Sequence, residues 1–216
     1  MMHKKVSILT RKRIWSFAFI LLLIVGAPIA AGAQKSAGKT SKQKGTRLEG
    51  QSDFDFEIGN WKTKLRRLQR PLSGSTTWVT YEGTTIVRPA CDGQANLVEL
   101  KVSGPVGTIE GVSLRLFEPE TKLWSLSFAN MRGGGLQIPA VGSFKDGRGE
   151  FYNDDTYKDR KIKVRFIISD ITPTSCHFEQ AFSEDDGKTW EVNWIADDTR
   201  IKTAKHKAAK GTGKGR

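Results

Sequence analysis

At 216 residues and a formal net charge of +12, the chain has room for one domain or two small ones, and its charge first directs attention to anionic partners. A hydrophobic content of 38% with 27% charged residues excludes a multi-span membrane protein and a wholly disordered chain. Two cysteines exclude a disulfide-dense scaffold and a four-cysteine zinc site.

The first thirteen residues carry Lys4, Lys5, Arg11, Lys12 and Arg13 and no acid. An apolar run follows from Ile14 to Gly26, and then Ala31-Gly32-Ala33. This order of basic head, short apolar stretch and small residues reads as a secretory signal over 1–33, cleaved before Gln34. The run falls short of the ~20 residues that a spanning helix needs, and a retained N-terminal anchor is the alternative. The expected location is periplasmic or secreted.

Residues 34–52 hold five Lys and Arg against one Glu, and residues 201–216 hold six and no acid. Neither stretch has enough apolar surface to offset the entropy of ordering, so both read as disordered basic tails around a body at 53–200. That body has 19 Lys and Arg against 22 Asp and Glu, a net charge of −3. The basicity therefore lies outside the folded part. No specific nucleic-acid site is expected, while the tails suit an anionic surface or polymer.

Within the body, runs of β-formers are expected as strands near Trp61–Leu68, Thr77–Arg88, Asn96–Val102, Thr108–Phe117 and Lys122–Phe128. Further strands are expected near Ala140–Phe144, Gly149–Asn153, Lys161–Ser169, Ser175–Ser183 and Thr189–Ala196. Turn signals such as Cys-Asp-Gly, Glu-Pro-Glu-Thr, Lys-Asp-Gly and Glu-Asp-Asp-Gly separate them. This spacing points to an antiparallel sandwich or barrel. Ile162, Val164, Phe166 and Ile168 alternate with Lys161, Lys163 and Arg165, so one face is buried. Leu114 and Leu116 alternate with Ser113 and Arg115 in the same manner. Only Thr63–Arg70, with Leu65 and Leu68 three apart, is ambiguous with a helix.

Ser183-Glu184-Asp185-Asp186-Gly187-Lys188-Thr189-Trp190 has the S-x-D-x-G-x-T-W pattern of an Asp-box, a hairpin device. Asp185 accepts backbone N–H groups, Gly187 supplies a positive φ and Trp190 anchors the next strand. A single copy argues for a hairpin and against a propeller glycosidase. Phe54-Asp55-Phe56-Glu57-Ile58-Gly59-Asn60-Trp61 contains a G-x-W at the start of the first strand. With Arg200 near the end of the last one, it resembles lipocalin-like (calycin) barrels, in which such a Trp packs beneath a basic residue. Arg115-Leu116-Phe117-Glu118-Pro119 with Trp124, and Gln180-Ala181-Phe182-Ser183 through Asn193-Trp194, extend the likeness. Over residues 53–200 the pattern is similar to secreted bacterial lipocalin-like domains of unknown function. The resemblance implies an all-β, antiparallel lipocalin-like β-barrel of about 9–10 strands with a cavity, and no established chemistry. It gives Gly59, Trp61 and Arg200 structural roles at the barrel bottom.

Candidate ligand-binding residues are Trp78, Tyr81, Trp124, Phe128, Phe166, Phe178, Gln180, Phe182 and Trp194, each of which also suits packed core. Arg165, Glu191 and Asn193 are the catalytic candidates if their strand faces point inward. Pointing outward, they form a solvated face. Glu82, Glu191, Asp197 and Asp198 are the acids from which a carboxylate pair would come. His177, the body's single histidine, reads as a strand-end residue, with an axial haem ligand as its sharper reading. No metal site and no cofactor are expected. Cys91 and Cys176 are free to form a disulfide in an exported protein. No G-x-S-x-G elbow and no phosphate-loop motif is present. The leading expectation is an exported, non-enzymatic barrel for a small apolar or amphipathic molecule. A barrel-based isomerase or hydrolase with a polar cavity, and a protein held on anionic surfaces by its tails, are the alternatives.

Overall fold

In a computed structural model describing residues 47–202, the chain enters through a 3-10 turn at Asp55–Glu57 and then runs through ten strands. They are β1 (Gly59–Leu68), β2 (Trp78–Ala90), β3 (Ala95–Gly104), β4 (Gly107–Glu118) and β5 (Leu123–Asn130), then β6 (Ala140–Lys145), β7 (Arg148–Tyr157), β8 (Arg160–Ser169), β9 (Ser175–Ser183) and β10 (Glu191–Arg200). Each pairs antiparallel with its neighbour in sequence, and β10 returns to pair with β1, which closes a barrel without free edges. The expected signal segment, the expected linker up to residue 46 and the expected tail from residue 203 lie outside the described residues.

The body starts earlier than position 53. Gln51 is buried, and Trp124 Nε1 donates to the Gly50 carbonyl at 2.9 Å. Residues 47–52 are polar in composition yet form turns against the barrel, which corrects the linker boundary. They lead into a floor built by Phe54, whose ring lies 4.9 Å from Trp124, 5.0 Å from Phe144 and 5.8 Å from Phe151. Beside it, the Arg200 guanidinium sits 4.1 Å from the centre of the Trp61 ring. Arg200 also donates to the carbonyls of Pro173 and Ile58, both at 2.8 Å, and to that of Phe56. Trp61 Nε1 donates to the Glu57 carbonyl at 2.6 Å. Gly59 has φ +134°, and a Cβ there would meet Arg200 Nη1 at 2.7 Å, so both conformation and space require glycine.

Alternation places Ile162, Val164, Phe166 and Ile168 of β8 inside, as expected for a one-sided strand. On β4 the expectation is inverted. Arg115 and Phe117 are buried and Leu116 is exposed, so the polar-looking face points into the barrel. Leu114 and Leu116 share their outward face with Glu110 and Glu118, whose charges belong in water. The stretch at Thr63–Arg70 is strand up to Leu68, with no helix.

The Asp-box folds as a hairpin between β9 and β10. Ser183 Oγ donates to Asp185 Oδ1 at 2.7 Å and accepts the Gly187 amide at 2.9 Å. Asp185 accepts the Thr189 hydroxyl at 2.7 Å and the Thr189 amide at 2.9 Å, and these bonds hold its carboxyl down to about 2. Gly187 has φ +88°. Trp190 lies on the outer surface, where the Arg165 guanidinium is 4.5 Å from its ring.

Candidate functional site

The upper half of the barrel is not filled by side chains. A cavity of about 340 Å³ opens there, within the range of small-molecule sites. Its aromatic and amide walls come from four strands: Phe128 on β5, Phe166 on β8, Phe178, Gln180 and Phe182 on β9, and Trp194 on β10. A bulge between Val192 and Trp194 lets Asn193 and Trp194 both face the interior, which strict alternation forbids. Gln180 Nε2 donates to Asn193 Oδ1 at 2.7 Å, so these two amides fix each other.

The cavity ends below on buried polar groups. Arg115 donates two hydrogen bonds to the Glu57 carboxylate, one of them at 3.1 Å, and its guanidinium lies 4.4 Å over the Phe54 ring. Both side chains of this pair are under one-tenth exposed. Opposite them, Thr63 Oγ1 donates to Asp198. Because that uses the only hydroxyl hydrogen of Thr63, Thr85 Oγ1 is the donor in its 2.6 Å bond to Thr63. Burial pushes the Asp198 carboxyl up to about 7, the Thr63 bond opposes that shift, and the nearby Glu57 charge adds to it. Cys176 shares this floor. Burial, helped by Glu57 and Asp198, pushes its thiol well above the ordinary range, so it is a poor nucleophile.

Several expectations are corrected by this geometry. Trp78 stands outside the barrel, 36% exposed, with the Arg66 guanidinium 6.0 Å from its ring, because it shares a parity with the outward residues of β2. Trp124 is buried in the aromatic floor and does not line the cavity. Tyr81 faces inward and packs with Leu65, Val79 and Val102, and it lines the smaller neighbouring cleft but not the main cavity. Arg165 lies outside, between Trp190 and Glu179, the latter at 3.8 Å. Glu191 sits at the rim, where its carboxylate accepts the Leu72 amide at 2.6 Å and so holds the β1–β2 loop. Of the three catalytic candidates, Asn193 alone reaches the cavity. The interior charged pair is therefore made by other residues, Glu57 and Arg115.

Of the four acids, Asp198 alone lines the cavity. His177 points outward, its Nδ1 2.8 Å from Asp197 Oδ1, which places it away from any axial position in the cavity. Cys91 is exposed in the 3-10 turn at Cys91–Gly93 and Cys176 is buried in the floor, and both thiols are free, which overturns the disulfide. Among the described residues no group of three or more His, Cys, Asp or Glu side chains is placed to hold a metal ion.

No protein-family model matches the sequence, and no curated protein does. Solved structures resemble it in shape. An S-type phycobiliprotein lyase, CPES from Guillardia theta, superposes with a TM-score of 0.51 at 11% identity, covering 77% of this chain and 100% of its own. A redesigned β-barrel, mFAP0, bound to DFHBI has a TM-score of 0.38 at 12% identity, over 67% of this chain and 99% of its own. A de novo designed fluorescence-activating β-barrel has a TM-score of 0.38 at 11% identity, over 71% of this chain and 100% of its own. Such identities speak of fold alone, and the chain is an all-β, closed ten-strand antiparallel barrel of calycin-like shape.

Proposed function

We propose that this barrel is an exported binding protein for a small amphipathic molecule, taken up from its open end. The supporting observation is the cavity of about 340 Å³, with aromatic walls above and hydrogen-bonding groups below. Apolar walls favour uptake through removal of ligand surface from water, at about 25 cal/mol per Å². The amides of Gln180 and Asn193 and the Thr63–Asp198 pair supply direction. Binding is favoured over catalysis because the acidic group near neutrality, Asp198, has a raised-pKa thiol beside it and no histidine. The basic tails are a separable means of holding the protein near anionic surfaces.

The test is native mass spectrometry of the purified chain, with titration by the uncharged fluorophore 1-aminoanthracene. A co-purifying small molecule, or saturable fluorophore binding at one site per chain, is the expected result. A chain that carries no adduct and gives no saturable signal overturns the reading.

A further inference from the structure

Beside the main cavity, at the same open end, lies a second cleft of about 300 Å³. It is bounded by the β1–β2 loop at Gln69–Pro71, the β3–β4 turn at Val106 and the β7–β8 turn at Tyr157 and Lys158. Three cations line it, Arg67, Arg70 and Lys158, and no acid does. Among the described residues none of the three takes part in an ion pair. Two basic residues of β8 at this end are committed elsewhere. Arg160 pairs with Glu184 at 2.7 Å, and Lys163 bridges Asp154 at 3.0 Å and Asp186 at 3.1 Å. Arg67 and Lys158 meet aromatic rings instead, 5.9 Å from the centre of Trp194 and 5.5 Å from that of Tyr157. Ring contacts orient a cation and leave its charge in place. The acids nearest in sequence are Asp155, on the main cavity wall, and Asp159, and neither lines the cleft.

The cleft and the main cavity share Arg67, Pro71 and Tyr157, so one molecule can occupy both. At the far end of the cavity the Arg115 guanidinium is already paired with Glu57, and Asp198 is a second buried carboxyl. An anionic head finds no cation free of an ion pair there and three of them in the cleft. We propose that the cleft is a head-group site and that the ligand class is an amphipathic acid, a carboxylate or phosphate head outside with an apolar tail inserted between the aromatic walls. This rests on the reading of the main cavity as a binding site.

Four twelve-carbon probes with one tail decide it: dodecanoate, dodecyl phosphate, dodecanol and dodecylamine, each displacing 1-aminoanthracene from the full chain at low and high salt. Both acids are expected to bind about tenfold more tightly than dodecanol at low salt, and the advantage shrinks as salt screens it. The double variant Arg70→Gln/Lys158→Gln, which leaves the main cavity lining and the basic tails intact, lowers acid affinity about fivefold and leaves dodecanol unchanged. Equal affinity of acids and dodecanol overturns the head-group site and leaves the cavity reading standing. An acid preference that stays near tenfold in the double variant assigns it to the tails and overturns the proposal. Tightest binding of dodecylamine overturns it in favour of the carboxyl floor, and failure of all four probes overturns both readings.

Discussion

Arg200 and Trp61 face each other as direct partners across β10 and β1, with the guanidinium 4.1 Å from the ring centre. The same guanidinium gathers the carbonyls of Phe56, Ile58 and Pro173, so one side chain ties the entering segment and the β8–β9 loop to the strand pair that closes the barrel. Arg200→Ala removes a cation–π contact and three charge-assisted bonds, and is expected to cost about 3 kcal/mol. Arg200→Lys restores less than half, since an ammonium lacks the planar fork. Urea denaturation of the three proteins measures it.

Asp198 gives the barrel an unusual pH response. Its folded pKa of about 7 lies above the ordinary value of 3.8, so the folded state keeps a proton that the unfolded state releases. Stability therefore falls as pH rises through this window, by up to about 4 kcal/mol between pH 4 and pH 8. Asp185 acts in the opposite sense, and its contribution is lost as pH falls from 3.8 towards about 2. Asp198→Asn is expected to flatten the decline above pH 5. An unchanged slope in the Asn variant contradicts the assignment.

The Glu57–Arg115 pair is buried on both sides, so breaking it leaves an uncompensated charge. Glu57→Leu and Arg115→Met are each expected to cost about 3–5 kcal/mol, while the two combined lie within about 1 kcal/mol of the unaltered protein. Arg115 Nε, buried without a partner, lowers the value of keeping the pair. A double-mutant cycle by thermal and chemical unfolding reads the coupling directly.

Two tryptophans separate wall from exterior. Trp194→Ala is expected to weaken 1-aminoanthracene binding about tenfold, and Trp78→Ala to change it less than about twofold. Fluorescence titration of both variants makes the comparison. Equal losses at the two positions contradict a ligand inside the barrel.

The thiols give a chemical check. Cys91 is exposed and Cys176 buried, and neither is bridged. An aromatic disulfide reagent should therefore consume one equivalent of thiol from the native chain and two after denaturation. Zero equivalents in the native chain followed by two only after reduction would restore the disulfide.

The strands were legible because turn residues and two-residue alternation report extended, half-buried backbone directly. The sign of each face was less so. On β4 the run from Ser113 to Phe117 reads equally well with leucines inside, and only Glu110 and Glu118 at the ends, sharing the leucine face, mark it as the outer one. Asn193 faces the cavity through a bulge, and a bulge leaves no mark in a two-residue pattern. Glu57 lies ahead of the first strand in a 3-10 turn, where periodicity says nothing about burial. Asp198 reads as one acid in an acidic stretch until strand pairing brings Thr63 opposite it. The aromatic wall of β8 and β9 was readable from spacing alone, whereas the polar floor depends on contacts between residues as far apart as Thr63 and Asp198.

The floor that Phe54 and its neighbours build has a kinetic consequence. Phe54, from chain that precedes the barrel, closes it on Phe117 and Trp124 of β4 and β5 and Phe151 of β7, and the interior becomes a tube closed at that end. Whatever enters must leave by the way it came, past the β1–β2 loop that Glu191 and Arg160 moor to the rim. If the cavity binds as proposed, residence time is expected to be set at the doorway by the loosening of those moorings, and the chemistry of the tube to set how favourable the stay is.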